Sequence, residues 1–120
     1  MAQYADGFVI PVPKKRLEDY RKIARKAGKV WMDHGALSYY ETVGDDLNPK
    51  MFTTFPKLAK LKRGETVVFS WIVYKSRKDR DRINAKVMQD PRMLKMMKDQ
   101  EPFIDPKRMA FAGFNVIVRF

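Results

Sequence analysis

The sequence predicts an α+β fold: four antiparallel strands in one sheet, with amphipathic helices on one of its faces. Three observations carry this. The run Glu65 to Tyr74, ETVVFSWIVY, is almost wholly β-branched and aromatic, and neither of its alternate sets looks soluble. The stretches Lys14 to His34 and Arg77 to Gln89 repeat apolar residues at three- and four-residue steps. The elements run strand, helix, two strands, helices, strand, which is the order of a split βαβ unit. A length of 120 residues suits one domain, 1–120, with a real core.

The first strand is expected over Tyr4 to Val12. Tyr4, Asp6, Phe8, Ile10 and Val12 share one face; Ala5, Gly7, Val9 and Pro11 share the other and are small, as if something packs closely there. Pro11 and Pro13 should end the ladder, because proline donates no backbone hydrogen bond. Asp6 stands among large apolar neighbours, where a carboxylate needs a backbone or arginine partner. In the helix Lys14 to His34, Leu17, Tyr20, Ala24, Ala27, Trp31 and His34 form the apolar stripe, broadened by Ile23 and Val30. Arg16, Arg21, Lys22, Arg25, Lys26 and Lys29 take the opposite side, and Gly35 supplies the left-handed residue that stops the helix.

The second strand is expected over Ala36 to Val43, with Leu37, Tyr39, Glu41 and Val43 on one face and Ser38, Tyr40 and Thr42 on the other. Glu41, if buried there, requires a cationic partner or a raised pKa. Residues 47–64 are the least regular. Met51 to Phe55 reads as a short edge strand and Pro56 to Lys62 as a turn or two of helix with Leu58 and Leu61 inward. A connection of this length is a lid, a binding loop or an interface arm.

In the central strand, Val67, Phe69, Trp71 and Val73 alternate with Val68, Ser70, Ile72 and Tyr74. Ser76-x-x-Asp79 caps the helix Arg77 to Gln89, whose buried side is Ile83 and Val87 with weaker Ala85 and Met88. Asp90-Pro91 opens a short helix carrying Met93, Leu94, Met96 and Met97. Pro102 and Pro106 bracket a loop before a last strand, Arg108 to Phe120, with Phe111, Phe114, Val116 and Val118 apolar and Gly113 marking a bulge or a close approach.

Two helices cover one side of such a sheet, so the other side stays apolar. A symmetric homodimer would bury it, with Val67, Phe69 and Val73 of the strand and Phe52 and Phe55 of the loop as interface candidates.

Lys and Arg number 25 against 14 acids, a net charge of +11, which suits an anionic partner. The basic residues are spread along the chain with acids interleaved, and no Gly/Arg repeat, zinc-finger spacing or aromatic-basic strand motif accompanies them. Specific nucleic-acid binding is therefore not the leading expectation. The chain has no cysteine and one histidine, which excludes disulfides and thiolate chemistry and argues against a metal site. No cofactor is implied. No apolar run approaches the roughly 20 residues that span a bilayer. The start MAQYADGF has neither a basic leader nor an apolar core, so no signal peptide and a cytoplasmic location are expected.

The blocks DGFVIPVP (Asp6 to Pro13), HGAL (His34 to Leu37), ETVGDD (Glu41 to Asp46), VVFSWIVY (Val67 to Tyr74), NAKVMQDPRM (Asn84 to Met93) and KRMAFAGF (Lys107 to Phe114) resemble the YbaA-like family, domain of unknown function 1428. The likeness covers nearly the whole chain, in order. It departs from the family pattern in a more basic composition and an extra residue within Pro102 to Met109. The resemblance implies a ferredoxin-like dimeric α/β barrel and no established activity or catalytic residue.

By fold analogy, the wider group of such barrels includes cofactor-free oxygenases, isomerases and haem-handling proteins that use the cavity between sheet and helices. The cavity candidates are Asp6, His34, Tyr39, Glu41 and Trp71. An enzyme would use His34 or Glu41 as general base, with Tyr39 and Trp71 holding an aromatic or polyketide-like substrate. Haem at His34 has no second supporting feature. Three readings stand beside a dry core: a ligand-binding homodimer, a cofactor-independent monooxygenase- or isomerase-like enzyme, and an RNA- or anion-binding protein.

Overall fold

Strand β3 (Glu65–Tyr74) lies inside a four-stranded antiparallel sheet of order β2-β3-β1-β4, with β1 at Tyr4–Pro13, β2 at Ser38–Val43 and β4 at Ala110–Asn115. The computed structural model describes residues 2–99 and 103–120. Helix α1 (Leu17–Asp33) follows a 3-10 turn, Lys14–Arg16; α2 is the short Phe55–Leu58; α3 (Arg77–Gln89) and α4 (Pro91–Asp99) follow β3. The sheet is open, with β2 and β4 as its edges, so the barrel implied by the resemblance is not a property of the single chain.

β1 is longer than expected and both prolines lie inside it. The amide of Lys14 donates to Gly64, so even-numbered residues of β1 direct their amides toward β3 and odd ones toward β4. β4 pairs with β1 only as far as Val9, opposite Ala110. Pro11 and Pro13 therefore sit where no acceptor waits, and their missing donors cost the sheet nothing.

The register assigns the two faces. Toward α1 and α3 point Thr66, Val68, Ser70, Ile72 and Tyr74 of β3, opposite Val12, Ile10, Phe8, Asp6 and Tyr4 of β1. Two apolar clusters form there: Val30, Ile72, Tyr74, Ile83, Val87 and Met93 at one end; Ile10, Val12, Tyr20, Ala24 and Val68 at the other. α3 has the bounds its cap predicts, the Ser76 side chain accepting from the amide of Asp79. Ile83 and Val87 face the core, but Ala85 and Met88 face out: α3 buries a narrow stripe because it meets one neighbour layer only.

Several expectations fail at the periphery. Residues 51–55 form no strand; Met51 has φ of 75°, a left-handed turn, and the Thr54 side chain caps α2 instead. Leu58 is exposed and only Leu61 turns partly inward, since a four-residue helix cannot sustain an apolar stripe. Leu37 precedes β2 and is exposed. β4 stops at Asn115, not Phe120; Phe111 is exposed because no helix reaches that edge, Phe114 because it stands on the helix-free face, and Val118 is exposed beyond the strand. Gly113 is the close approach expected: a Cβ there would collide with the Tyr4 ring. Pro102 lies outside the described residues.

Candidate functional site

A groove of about 640 Å³ lies between α1 and the outer edge of β2. Its floor is apolar, from Leu17, Ala24 and Gly28 of α1 to Val43 and Val68 of the sheet. Gly28 is what lets the two elements close. A Cβ there would stand 2.8 Å from atoms of the Tyr39 ring, so the glycine tolerated within α1 makes room for that ring.

At the inner end lies Glu41, which has no cationic partner among the described residues. Two phenols serve instead: Tyr20 donates to Oε1 and Tyr39 to Oε2, each at 2.6 Å. Burial, reinforced by the Glu41 charge, raises both phenols far above their usual range, so they remain neutral donors. Each carboxylate oxygen keeps a further lone pair for a ligand donor. Glu41 also lines a smaller inner cavity of about 170 Å³, together with Phe8, Trp31, Ser70 and Ile72.

Arg21, Arg25 and Lys29 form the groove's outer wall. Spacing of four residues sets them along one line of α1. Arg21 lies 3.6 Å from Glu18 and Lys29 3.1 Å from Asp33, while Arg25 has no ion-pair partner among the described residues.

Asp6 is elsewhere, 1% exposed, at the centre of a second polar cluster. Arg80 donates to its Oδ1 at 2.8 Å; Tyr74 and Asn84 donate to Oδ2 at 3.0 and 3.3 Å. Trp31 donates to the Asn84 carbonyl at 2.9 Å, and the Arg80 guanidinium lies 4.9 Å from the centre of the Tyr4 ring. Burial and the Asp6 charge hold the Tyr74 phenol high. Asp6 is fully engaged, while Arg80 Nε lies 2.9 Å from Asp81 Oδ1 as an ion pair without a hydrogen bond; the cluster ties β1, β3, α1 and α3 together and leaves little acceptor capacity for a ligand.

The remaining candidates are separate again. His34 ends α1, its Nε2 2.8 Å from Asp90 Oδ2, outside both cavities. Asp90 also caps α4 and binds Arg92, and these bonds, Arg92's first, pull its carboxyl well below the usual range. Trp71 is on the opposite face of the sheet, stacked on Tyr40 with ring centres 5.1 Å apart. Of the five cavity candidates, the structure brings only Tyr39 and Glu41 together. Tyr20 and the wall cations escaped the sequence reading as site residues. The available signal was that Tyr20 on the inward stripe and Glu41 on the inward set of β2 must face one another.

On that opposite face stand Tyr40, Phe69, Trp71, Val73 and Phe114, with Phe55 of α2 edge-on to Phe69 at 5.8 Å. Tyr40, Phe69 and Phe114 are 54%, 45% and 57% exposed. Phe114 lies over Gly7, where a Cβ would meet its ring at 3.1 Å. Phe52 is exposed as expected, but Val67 is only 2% exposed within its own chain and offers no surface to a partner. Among the described residues, no group of three or more acids or histidines could hold a metal, and no helix is long and apolar enough to cross a membrane.

The model of a family described as "Protein of unknown function (DUF1428)" matches residues 3–105. The uncharacterized protein YbaA of Escherichia coli K12 is 41% identical over 116 residues, covering 97% of each chain, and its Shigella flexneri counterpart matches equally. Among solved structures, a dimeric ferredoxin-like protein from an uncultured marine organism superposes with a TM-score of 0.64 at 11% identity, over the full length of both chains. A nipsnap family protein of unknown function from Agrobacterium tumefaciens gives 0.57 at 16% identity, over 96% of this chain and 88% of its own. These likenesses establish a ferredoxin-like fold.

Proposed function

We propose, from the premise that the chain belongs to the protein family of unknown function 1428, that it is a homodimeric module holding a small molecule in the groove between α1 and β2. The observation that carries this is the inequality of the two sheet faces. The helix side is closed by the chain's own helices over β1 and β3, and opens at the groove and at Phe111 on the β4 edge. The other side exposes a contiguous aromatic surface of the kind soluble monomers rarely leave bare. A second copy docked sheet to sheet covers that surface by two-fold symmetry, and the dimeric state of the marine ferredoxin-like protein supports it. Docking there leaves the groove open, because the groove lies across the sheet from the aromatic face.

Ligand binding is put ahead of catalysis because the second base candidate, His34, is bonded to Asp90 outside the groove. An enzyme would rest on Glu41 alone.

Sedimentation equilibrium at micromolar concentration tests the assembly, and a monomer there overturns it. A thermal-shift panel of chemically diverse small molecules, read against Val43→Trp, tests the groove. Val43 lines the groove from an exposed position, so the larger side chain fills the space without entering the core. Stabilisation lost in the variant is the expected result; a panel without any hit that Val43→Trp abolishes counts against the groove.

A further inference from the structure

We propose that the α1–β2 groove selects an amphiphilic anion, an apolar body with a carboxylate or phosphate head, held head-outward. This rests on the ligand-binding reading above and names its ligand class.

Three zones of the groove ask for different chemistry. The outer wall carries Arg21, Arg25 and Lys29, in a row about 12 Å long on α1 from its rise per residue, with the single acid Glu18 beside Arg21. Arg21 and Lys29 are engaged only by exposed acids, Glu18 and Asp33, pairs that hold weakly and yield to a competing anion. The Arg25 guanidinium stands between them, a planar fork suited to carboxylate or phosphate oxygens. The middle zone, Ala24, Gly28, Val43 and Val68, offers no polar side chain and suits hydrocarbon or an aromatic ring.

The inner end decides the direction of binding. Glu41 there is bonded to two phenols and, among the described residues, to no cation, so an anionic head pushed inward would meet a carboxylate. Its spare lone pairs accept instead from a hydroxyl or N–H on the tail of the ligand. Head, body and tail donor thus each have one place. A cationic amphiphile meets like charge at the mouth, and a neutral one gains nothing from the wall.

Isothermal titration with four probes sharing a dodecyl chain tests this: dodecanoate, dodecyl phosphate, dodecanol and dodecyltrimethylammonium, each below its micelle concentration at physiological ionic strength. Both anions should bind about tenfold or more tighter than dodecanol, and the cation more weakly still. Arg21→Gln with Arg25→Gln should bring the anions to roughly dodecanol's affinity, a loss of about tenfold. Lys22→Gln with Lys26→Gln removes the same charge from α1 residues outside the groove and should change affinity by less than about twofold. Val43→Trp should abolish binding of all probes that bind.

If dodecanol or the cation binds as tightly as the anions, and Val43→Trp still abolishes it, the anion selection is overturned while the groove reading stands. If both glutamine pairs weaken the anions equally, or Val43→Trp leaves them bound, the protein is attracting anions through its general positive charge and the proposal falls. If none of the four binds, the proposal falls too, and the diverse panel alone decides the groove.

Discussion

The two faces of the sheet are built from alternate residues of the same strands, yet they reach opposite ends. On the helix face the buried carboxylate of Asp6 is matched by Arg80, Tyr74 and Asn84, and the apolar residues around it are covered by α1 and α3. On the other face no charge is buried among the described residues, and Tyr40, Phe69 and Phe114 are exposed around a half-buried Trp71. The difference lies in which layer supplies the partner. A chain with three longer helices on one side completes that side itself and can afford an exacting polar network there. The other side is chemically simpler, and in the proposed dimer a second molecule would cover it. Specific polar matching is thus made within the chain, and the apolar area is left for the proposed assembly.

Breaking the network should give the largest effect. Asp6→Ala leaves Arg80, 14% exposed, facing a lost charge, and removing one partner of a buried pair costs about 3–5 kcal/mol. Urea denaturation should show it as a lower midpoint. A loss under about 1 kcal/mol would mean that water reaches Arg80 and that the helix face is less closed than described.

The aromatic face should respond differently. Trp71→Glu places a charge at its centre and should weaken the proposed dimer by about 2–4 kcal/mol, the range of a hot-spot residue. Sedimentation should show dissociation, while the circular dichroism of the resulting monomer stays native. A Trp71→Glu protein that remains dimeric at the wild-type affinity would move the interface off this face.

Within the groove, Glu41→Gln replaces a carboxylate that takes two 2.6 Å phenol bonds, and Tyr39→Phe removes one of them. Each should cost about 1–2 kcal/mol of folding stability, less than the loss of Asp6, because Glu41 sits at an edge strand. The double variant should cost less than the sum, since the two changes share one bond.

The smallest effect is a matter of pH. Glu65, at the start of β3, accepts two short bonds from Arg108 at 2.6 and 2.7 Å. Those bonds, chiefly, hold its carboxyl at about 2 against an ordinary 4.5. The folded state binds this proton less readily than the unfolded chain. Its contribution is therefore complete above pH 4.5 and fades as the pH falls toward 2. Arg108→Met should flatten that part of a Tm-against-pH curve and leave the curve near neutrality parallel to wild type.

The strands β1 and β3, the helix α3 with its Ser76 cap, and the start of α4 at Pro91 were legible because each is set by neighbours in sequence: alternation, stripe, cap, turn. The helical turn expected near Pro56 is present as α2, but residues 51–55 and the end of β4 were not legible, because their composition suits a strand and only the missing neighbour decides against it. Of the residues expected at the cavity, Tyr39 and Glu41 share a face of β2 and line the groove. Trp71 stands on the other face of the sheet, which parity within one strand cannot assign, and Asp6 shares the helix face but lies in a separate network around Arg80.

The sequence by itself determined the element order, the amphipathic faces and the surplus of apolar sheet surface, all of which follow from local periods of two and of about 3.6 residues. Only the tertiary structure decided which face the helices cover, that two tyrosines rather than a cation hold Glu41, and that Gly28 and Tyr39 shape a groove beneath a row of positive charge. Those depend on strand register and on contacts between residues far apart in the chain, which no local pattern encodes.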